Sequence, residues 1–389
     1  MVFVMTACAE NSSQSEKSQP AEQTTVQPTT MSAEEINDRK LDKFISDMTL
    51  EEKVGQMFFV RCPDEDAVKQ VSEYNIGGYI LFGRDFDGKT KDEVVDDIHS
   101  YQNEADIPLL IGVDEEGGTV VRVSSNPNLR ETPFLSPKDT YADGGWDAVK
   151  QDAEEKADLL LSLGINVNLA PVCDMTSDEY GFMYDRSFSS DVDMENRYVR
   201  TVVETSKSKK LGTVLKHFPG YGNNSDTHTG IAYDDRDYSE FENTDFKPFY
   251  QGIESGADCI LVSHNIVNCM DSEYPASLSQ KVHDILRNEF KFDGVIMTDD
   301  LIMDAITDFT GDEAAAVTAA KCGNDLLCCS SVDTQYPAVL EAVQNGEIPE
   351  AQVDASVKRI LKWKQNLGIF NIDTYQKKVR TTDPTDATE

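Results

Sequence analysis

Positive charge is scarce in this chain. Its 389 residues carry 35 Lys and Arg against 71 Asp and Glu, a net charge of −36. A field of that sign repels nucleic-acid phosphates and anionic lipid surfaces, so no nucleic-acid partner is expected. Paired cysteine motifs are missing too. None of the eight cysteines forms a CxxC pair or has a His at zinc-ligand spacing, so neither a disulfide framework nor a metal site is signalled. Phosphate and acyl-transfer signatures are likewise absent. No GxGxxG opens a helix and no GxxxxGKS or GxxxxGKT occurs, which excludes a signalled dinucleotide or nucleoside triphosphate site. No GxSxG elbow offers an acyl-transfer nucleophile. Histidine occurs only 5 times, so each position carries information. What is present is ordinary for a folded chain: 39% hydrophobic and 27% charged residues, enough to build a core and to rule out disorder throughout.

The ends differ from the middle. Residues 1–8 (MVFVMTAC) are too short to span a bilayer and lack a basic start, yet the small residues before Cys8 resemble a lipobox. The stretch reads as a truncated lipoprotein-type signal with Cys8 as the lipidation site, which would put the protein on the extracellular face of the cytoplasmic membrane. Residues 9–33 are Ser, Gln, Glu, Thr and Pro with few large apolar side chains. They cannot bury enough surface to offset ordering entropy and read as a disordered tether. Residues 377–389 read as a disordered tail of similar composition. Between them, 34–376 reads as a single α/β domain.

Within that domain eight apolar runs of strand length alternate with longer amphipathic stretches. They start at Val54, Ile76, Pro108, Ile165, Gly212, Asp258, Gly294 and Asn324. Helical patterns fill gaps such as 148–163, 197–210, 280–290, 312–322 and 353–367. Continuous apolar strands separated by helices imply parallel strands buried on both faces. A doubly wound open sheet shares that alternation, but about eight repeats favour a closed (β/α)8, TIM-like barrel.

In such a barrel the working face lies at the carboxyl ends of the strands. Arg61 closes the first run, Asp114-Glu115-Glu116 the third, Asp174 the fourth, Lys216-His217 the fifth, His264 the sixth and Asp299-Asp300 the seventh. A carboxylate-rich pocket with histidines and a few cations suits sugar hydroxyls and glycosidic-bond cleavage, which needs a carboxylate at the anomeric carbon and a proton donor at the leaving oxygen. Asp299 is placed for the first task. Asp300 is expected to face away and cap the next helix. For the proton donor, the Gly- and Asn-rich stretch 216–230 holds Asp226 and His228 two residues apart, so the carboxylate can fix the imidazole tautomer.

These motifs together resemble the β-N-acetylglucosaminidases of glycoside hydrolase family 3, the NagZ type. The similarity runs over about 50–370 through IGVDEEGGTVVRV, INVNLAPVCDM, DRSF, KHFPG followed by DTH, GVIMTDDLIM and SVKRILKWKQNLGIF. The resemblance implies Asp299 as nucleophile, His228 as general acid/base and Asp226 as its partner. It implies that Asp114, Arg122, Arg186, Lys216 and His217 bind the N-acetyl sugar. It further implies a retaining double displacement without metal or organic cofactor. The chain is expected to act as an exo-hydrolase on N-acetylglucosamine-containing oligosaccharides, as a monomer that meets the membrane only through the lipid anchor at Cys8. Thr119, Tyr221 and Glu115 depart from the family's Arg, His and Gln. Two rival readings accompany this one: a surface lipoprotein that binds glycans without cleaving them, and a β-N-acetylglucosaminide phosphorylase.

Overall fold

A computed structural model describes residues 1–4, 31–222, 230–303, 306, 309–310 and 312–378. Two compact units divide at Arg39. Met1–Arg39 holds the first turns of helix Ala33–Ser46, and Lys40–Glu389 holds everything described below. Cys8, residues 9–30 of the expected tether and residues 379–389 of the expected tail lie outside the described residues. Of the tail's first residues, Lys377 contacts Glu52, and Lys378 donates to the carbonyls of Asn103 and Ala105.

The eight apolar runs supply eight parallel strands. They are β1 (Phe58–Arg61), β2 (Gly78–Leu81), β3 (Leu110–Val113), β4 (Val167–Asn168), β5 (Gly212–Phe218), β6 (Cys259–Val262), β7 (Val295–Thr298) and β8 (Leu327–Cys329). The sheet runs β8-β1-β2-β3-β4-β5-β6-β7. A parallel bridge between Met297 and Leu326 draws the last strand onto β7, so the sheet curls into a nearly closed barrel. Apart from half-buried Arg61, every strand residue is buried, as required where helices cover the outside and side chains fill the inside. The interior is fitted by size. Phe59 projects inward and needs space from its neighbours, because a Cβ on Gly112 would lie 2.6 Å from its ring and one on Gly78 2.9 Å.

The first run is shorter as a strand than its apolar length suggests. Val54, Gly55 and Gln56 belong to helix Leu50–Gln56, because Thr49 and Glu52 form a reciprocal capping box that fixes a helix start just upstream. The helix expected over 148–163 is longer at its front, Pro137–Ser162, with non-helical backbone at Gly144 and Gly145. The helices Val192–Lys209, Asp312–Cys322 and Glu350–Asn366 fill three further gaps. All described cysteines are free thiols, and all but Cys269 are buried, where a thiol acts as a small hydrophobe. Among the described residues no helix is long and apolar enough to cross a membrane.

Candidate active site

The strand-end residues converge. A cavity of about 710 Å³ at the carboxyl ends of the strands is lined by Asp114, Arg122, Arg186, Lys216, His217 and Asp299, with Arg61, Phe82, Tyr221 and Asp300 among the rest. Thus the six sequence-predicted residues that are described share one space of the size that holds small ligands. The other two, Asp226 and His228, lie outside the described residues. The chain on either side of them is tied together. Arg236 donates to both Asp234 and Asp245 and to the carbonyl of Gly220, and Tyr233–Asp234 pairs with Ile266–Val267.

The β3–β5 side is a lattice of ion pairs. Lys216 Nζ lies 2.5 Å from Asp114 and 2.7 Å from Glu116, and Arg186 grips Glu116 with two parallel bonds of 2.9 and 2.8 Å. Lys216 and Glu116 are only 3% and 2% exposed. Burial by itself would raise the Glu116 carboxyl, but Lys216 and Arg186 outweigh it and hold the group far below the usual carboxylate range. At Lys216 burial and the nearby Arg186 charge pull the value down, but Asp114 and Glu116 outweigh them and hold it above its ordinary value. Gly117 and Gly118 adopt φ of 104° and 63°, a turn open to glycine at no steric cost. That turn brings the chain back after Glu116.

Successive residues Lys216 and His217 both reach the cavity. The pairing of β5 with β6 shifts register between Leu215 and Phe218, and an irregularity of this kind re-aims side chains that would otherwise alternate. His217 is then fixed by Asp174, whose Oδ2 accepts the His217 amide at 3.0 Å and lies 2.7 Å from Nδ1. With the proton on Nδ1, Nε2 accepts from Arg186 at 3.2 Å. Asp174 Oδ1 also accepts the Tyr221 amide at 2.7 Å, and Tyr221 stands edge-on to the His217 ring.

Glu115 has a part that strand-end reasoning did not give it. Fully buried, it accepts the amides of Arg122 and Val123 at 2.9 and 2.7 Å, along with the Ser124 hydroxyl. Asn168 on β4 brackets its backbone with bonds of 3.0 and 3.1 Å. Glu115 therefore positions the loop that presents Arg122. A short acidic run such as Asp114-Glu115-Glu116 has no feature that distinguishes ligand-facing from scaffold carboxylates, because burial depends on partners about seven or more residues away.

Two expectations at β6 and β7 need correction. His264 does not line the cavity; it is buried, with Nδ1 2.7 Å from Ser277 Oγ and Nε2 3.0 Å from the Asp300 carbonyl. Asp300 does not face away. It lines the cavity while one oxygen accepts the Ile302 amide at 3.2 Å and the other the Ser330 hydroxyl at 2.6 Å. Its local bond is to the amide only two residues on, in the turn at 301–303, so the side chain stays near the strand end. Burial raises its carboxyl, with Ser330, the Ile302 amide and Arg61 offsetting part of that. Asp299, beside it, accepts the Asp300 amide at 2.9 Å. Among the described residues no group of three or more His, Cys, Asp or Glu is arranged to hold a metal.

A carboxylate strand end opposite a fixed polar wall of paired charges can grip the hydroxyl groups of a ligand. Comparison with known proteins identifies the family. The family description "Glycosyl hydrolase family 3 N terminal domain" matches residues 49–363. The chain belongs to glycoside hydrolase family 3. A β-hexosaminidase of Nitrosomonas eutropha is 32% identical over 68% of this chain and 77% of its own. The β-hexosaminidase LpqI of Mycobacterium tuberculosis is 31% identical over 80% and 82%. Among solved structures, a family 3 β-N-acetylglucosaminidase from Paenibacillus sp. str. FPU-7 superposes with a TM-score of 0.78 at 29% identity. The match covers 88% of this chain and 66% of that one. This family 3 chain is accordingly a glycoside hydrolase built on the (β/α)8 barrel, as its strand pattern suggests.

Proposed function

We propose that the protein is an exo-acting, retaining β-N-acetylglucosaminidase with Asp299 as its nucleophile. The observation that carries this reading is the convergence of Asp299 with Asp114, Arg122, Arg186, Lys216 and His217 on one cavity at the strand carboxyl ends. The β-hexosaminidase relatives support the choice of an N-acetylhexosamine.

In the first step the Asp299 carboxylate attacks the anomeric carbon, the glycosidic C–O bond breaks, and a proton passes to the leaving oxygen. In the second, water attacks the same carbon, gives up a proton to the base and releases Asp299. The proton donor and acceptor in this reading is His228, oriented by Asp226. Lys216, His217, Arg186 and Asp114 have the donors and acceptors to hold ring hydroxyls without rearrangement, since their partners already fix them. The natural substrates in this reading are cell-wall fragments or chitin-type oligosaccharides. The protein acts as a monomer on the outer face of the cytoplasmic membrane, held through lipid on Cys8. The polar composition of 9–33 after an Ala-Cys pair supports that tether. Cys8→Ser should move the protein from the membrane fraction to the soluble one.

A chromogenic N-acetyl-β-glucosaminide tests the reading directly. Wild type should cleave it near neutral pH, and Asp299→Ala should lose roughly 10⁴-fold or more in kcat while keeping its circular dichroism spectrum. A fluorinated glycoside should label Asp299. Label on another side chain, or activity retained in Asp299→Ala, rejects the assignment.

A further inference from the structure

His264 follows β6 without lining the cavity, and what it touches is the turn that carries Asp299. The backbone ties that turn to both neighbouring strands: the Asp299 amide donates to the Val262 carbonyl at 3.2 Å and the Leu301 amide to the Cys328 carbonyl at 3.0 Å. Asp299 Oδ1 accepts the Asp300 amide at 2.9 Å, so the orientation of the carboxylate depends on how the backbone of Asp300 is held. The Asp300 carbonyl accepts the Met303 amide at 3.1 Å and lies 3.0 Å from His264 Nε2. Of these ties only the one to His264 comes from a side chain outside the turn. The ring is fixed from behind, because His264 and Ser277 are both fully buried and Ser277 Oγ lies 2.7 Å from Nδ1. Ser277 is itself held by its amide on the Ser263 carbonyl at 2.9 Å and by the Asn324 side-chain amide on its own carbonyl at 2.7 Å.

A carbonyl oxygen can only accept, so the proton of the neutral ring sits on Nε2 and the Ser277 hydroxyl donates to Nδ1. Hydrogen bonds linked in this way in a dry interior strengthen one another. Nucleophilic attack is sensitive to placement, and a shift of about 1 Å in a reacting group lowers the rate by about 10²-fold. We infer that His264 is a positioning residue for the nucleophile: its Nε2–H holds the Asp300 carbonyl, and so the residue whose amide orients the Asp299 carboxylate. It acts through Asp299 and not on the sugar. The inference rests on Asp299 being the nucleophile, as proposed above. Loss of His264 should slow the chemical step and leave sugar binding by Lys216, Arg186 and His217 unchanged.

The test follows labelling of Asp299 by a fluorinated N-acetylglucosaminide in wild type, His264→Met, His264→Gln and Ser277→Ala, with the melting temperature of each measured alongside. His264→Met fills the space of the ring without a donor. Its maximal labelling rate should fall roughly 10- to 100-fold, while the glycoside concentration giving half that rate stays within about threefold of wild type. The Gln side chain carries an amide donor near the place of Nε2, so His264→Gln should recover most of the rate. Ser277→Ala leaves the ring but frees its far side, and should slow labelling about three- to tenfold, the range of one hydrogen bond. Labelling in His264→Met and Ser277→Ala within about twofold of wild type overturns the inference. So does a loss in His264→Met that His264→Gln does not relieve, or one matched by an equal loss of glycoside affinity, since either marks general damage to the barrel. Should His264→Met fail to fold, Ser277→Ala decides by the same criterion. If wild type itself takes no label on Asp299, the nucleophile assignment falls and this inference with it, whereas label in wild type with unslowed variants overturns this inference alone.

Discussion

On the β3–β5 side of the cavity Lys216 and Arg186 share the carboxylates of Asp114 and Glu116, and His217 leans on Asp174. On the β1–β2 side Arg61 and Arg122 share a phenyl ring and have no carboxylate partner among the described residues. The two walls use the same cation types with opposite bookkeeping. A wall that is internally satisfied is rigid before any ligand arrives and offers its remaining lone pairs and protons to neutral hydroxyls. A wall with unmatched cations keeps its charge for something that enters.

The largest expected effect separates the walls by stability. Glu116→Gln leaves Lys216 and Arg186 buried with one acid fewer, and breaking a buried pair from one side costs about 3–5 kcal/mol. Arg61→Gln should cost less than about 1 kcal/mol, since it removes a half-exposed cation–π contact and no ion pair. Urea denaturation of both variants measures the gap. Equal losses would mean that Arg61 is as integral to the fold as Glu116, and the contrast between the walls would fail.

The same wall sets an acid limit. Glu116 is held far below its ordinary value of 4.5, so its carboxylate contributes full stability above that pH. Below it the unfolded chain takes up a proton that the folded chain refuses, and stability falls as pH falls. The advantage of wild type over Glu116→Gln should therefore shrink from about pH 4.5 downward and stay constant above it. An advantage that first shrinks near neutrality would place the titration on another group.

Lys364 provides a contrast with both walls: a buried cation whose one side-chain partner among the described residues is the neutral amide oxygen of Gln56, 2.8 Å away. Burial pushes it down to about 7. Here the unfolded chain keeps a proton that the folded chain releases as pH rises through 7, so stability rises with pH toward the ordinary value of 10.5. Relative to Lys364→Met, wild type should gain about 2 kcal/mol between pH 7 and 9. A flat difference would show that Lys364 stays charged, held as firmly as Lys216 is by its two carboxylates.

Much of this was legible in the sequence, and what was not has a physical cause. Strands buried on both faces leave continuous apolar runs, so the barrel and its order could be read directly. The start of β1 was obscured because Val54–Gln56 is equally apolar as a helix end, and only the Thr49 cap separates the two. Asp114, Arg122, Arg186, Lys216, His217 and Asp299 were legible as strand-end or loop residues supported by family motifs. Their division of labour was not. Glu115 and Glu116 are neighbours, yet one orders a loop while the other neutralises Lys216 and Arg186. Those roles depend on Asn168, Ser124 and Arg186, which only the closed barrel brings near. The Arg61–Phe82–Arg122 grouping likewise unites three separate parts of the chain and leaves no local pattern.

The smallest expected effect probes how the unmatched wall holds its charge. Phe82→Leu keeps an apolar side chain between the two arginines and removes the ring face that orients Arg61 at 4.5 Å. A cation–π contact at a half-exposed site contributes about 0.5–1 kcal/mol, so Phe82→Leu should lower stability to urea by about that much. In Arg61→Gln the same change should cost less, because part of the ring's contribution acts through the guanidinium. If the two losses simply add, the ring does not hold Arg61, and the contrast between the walls fails.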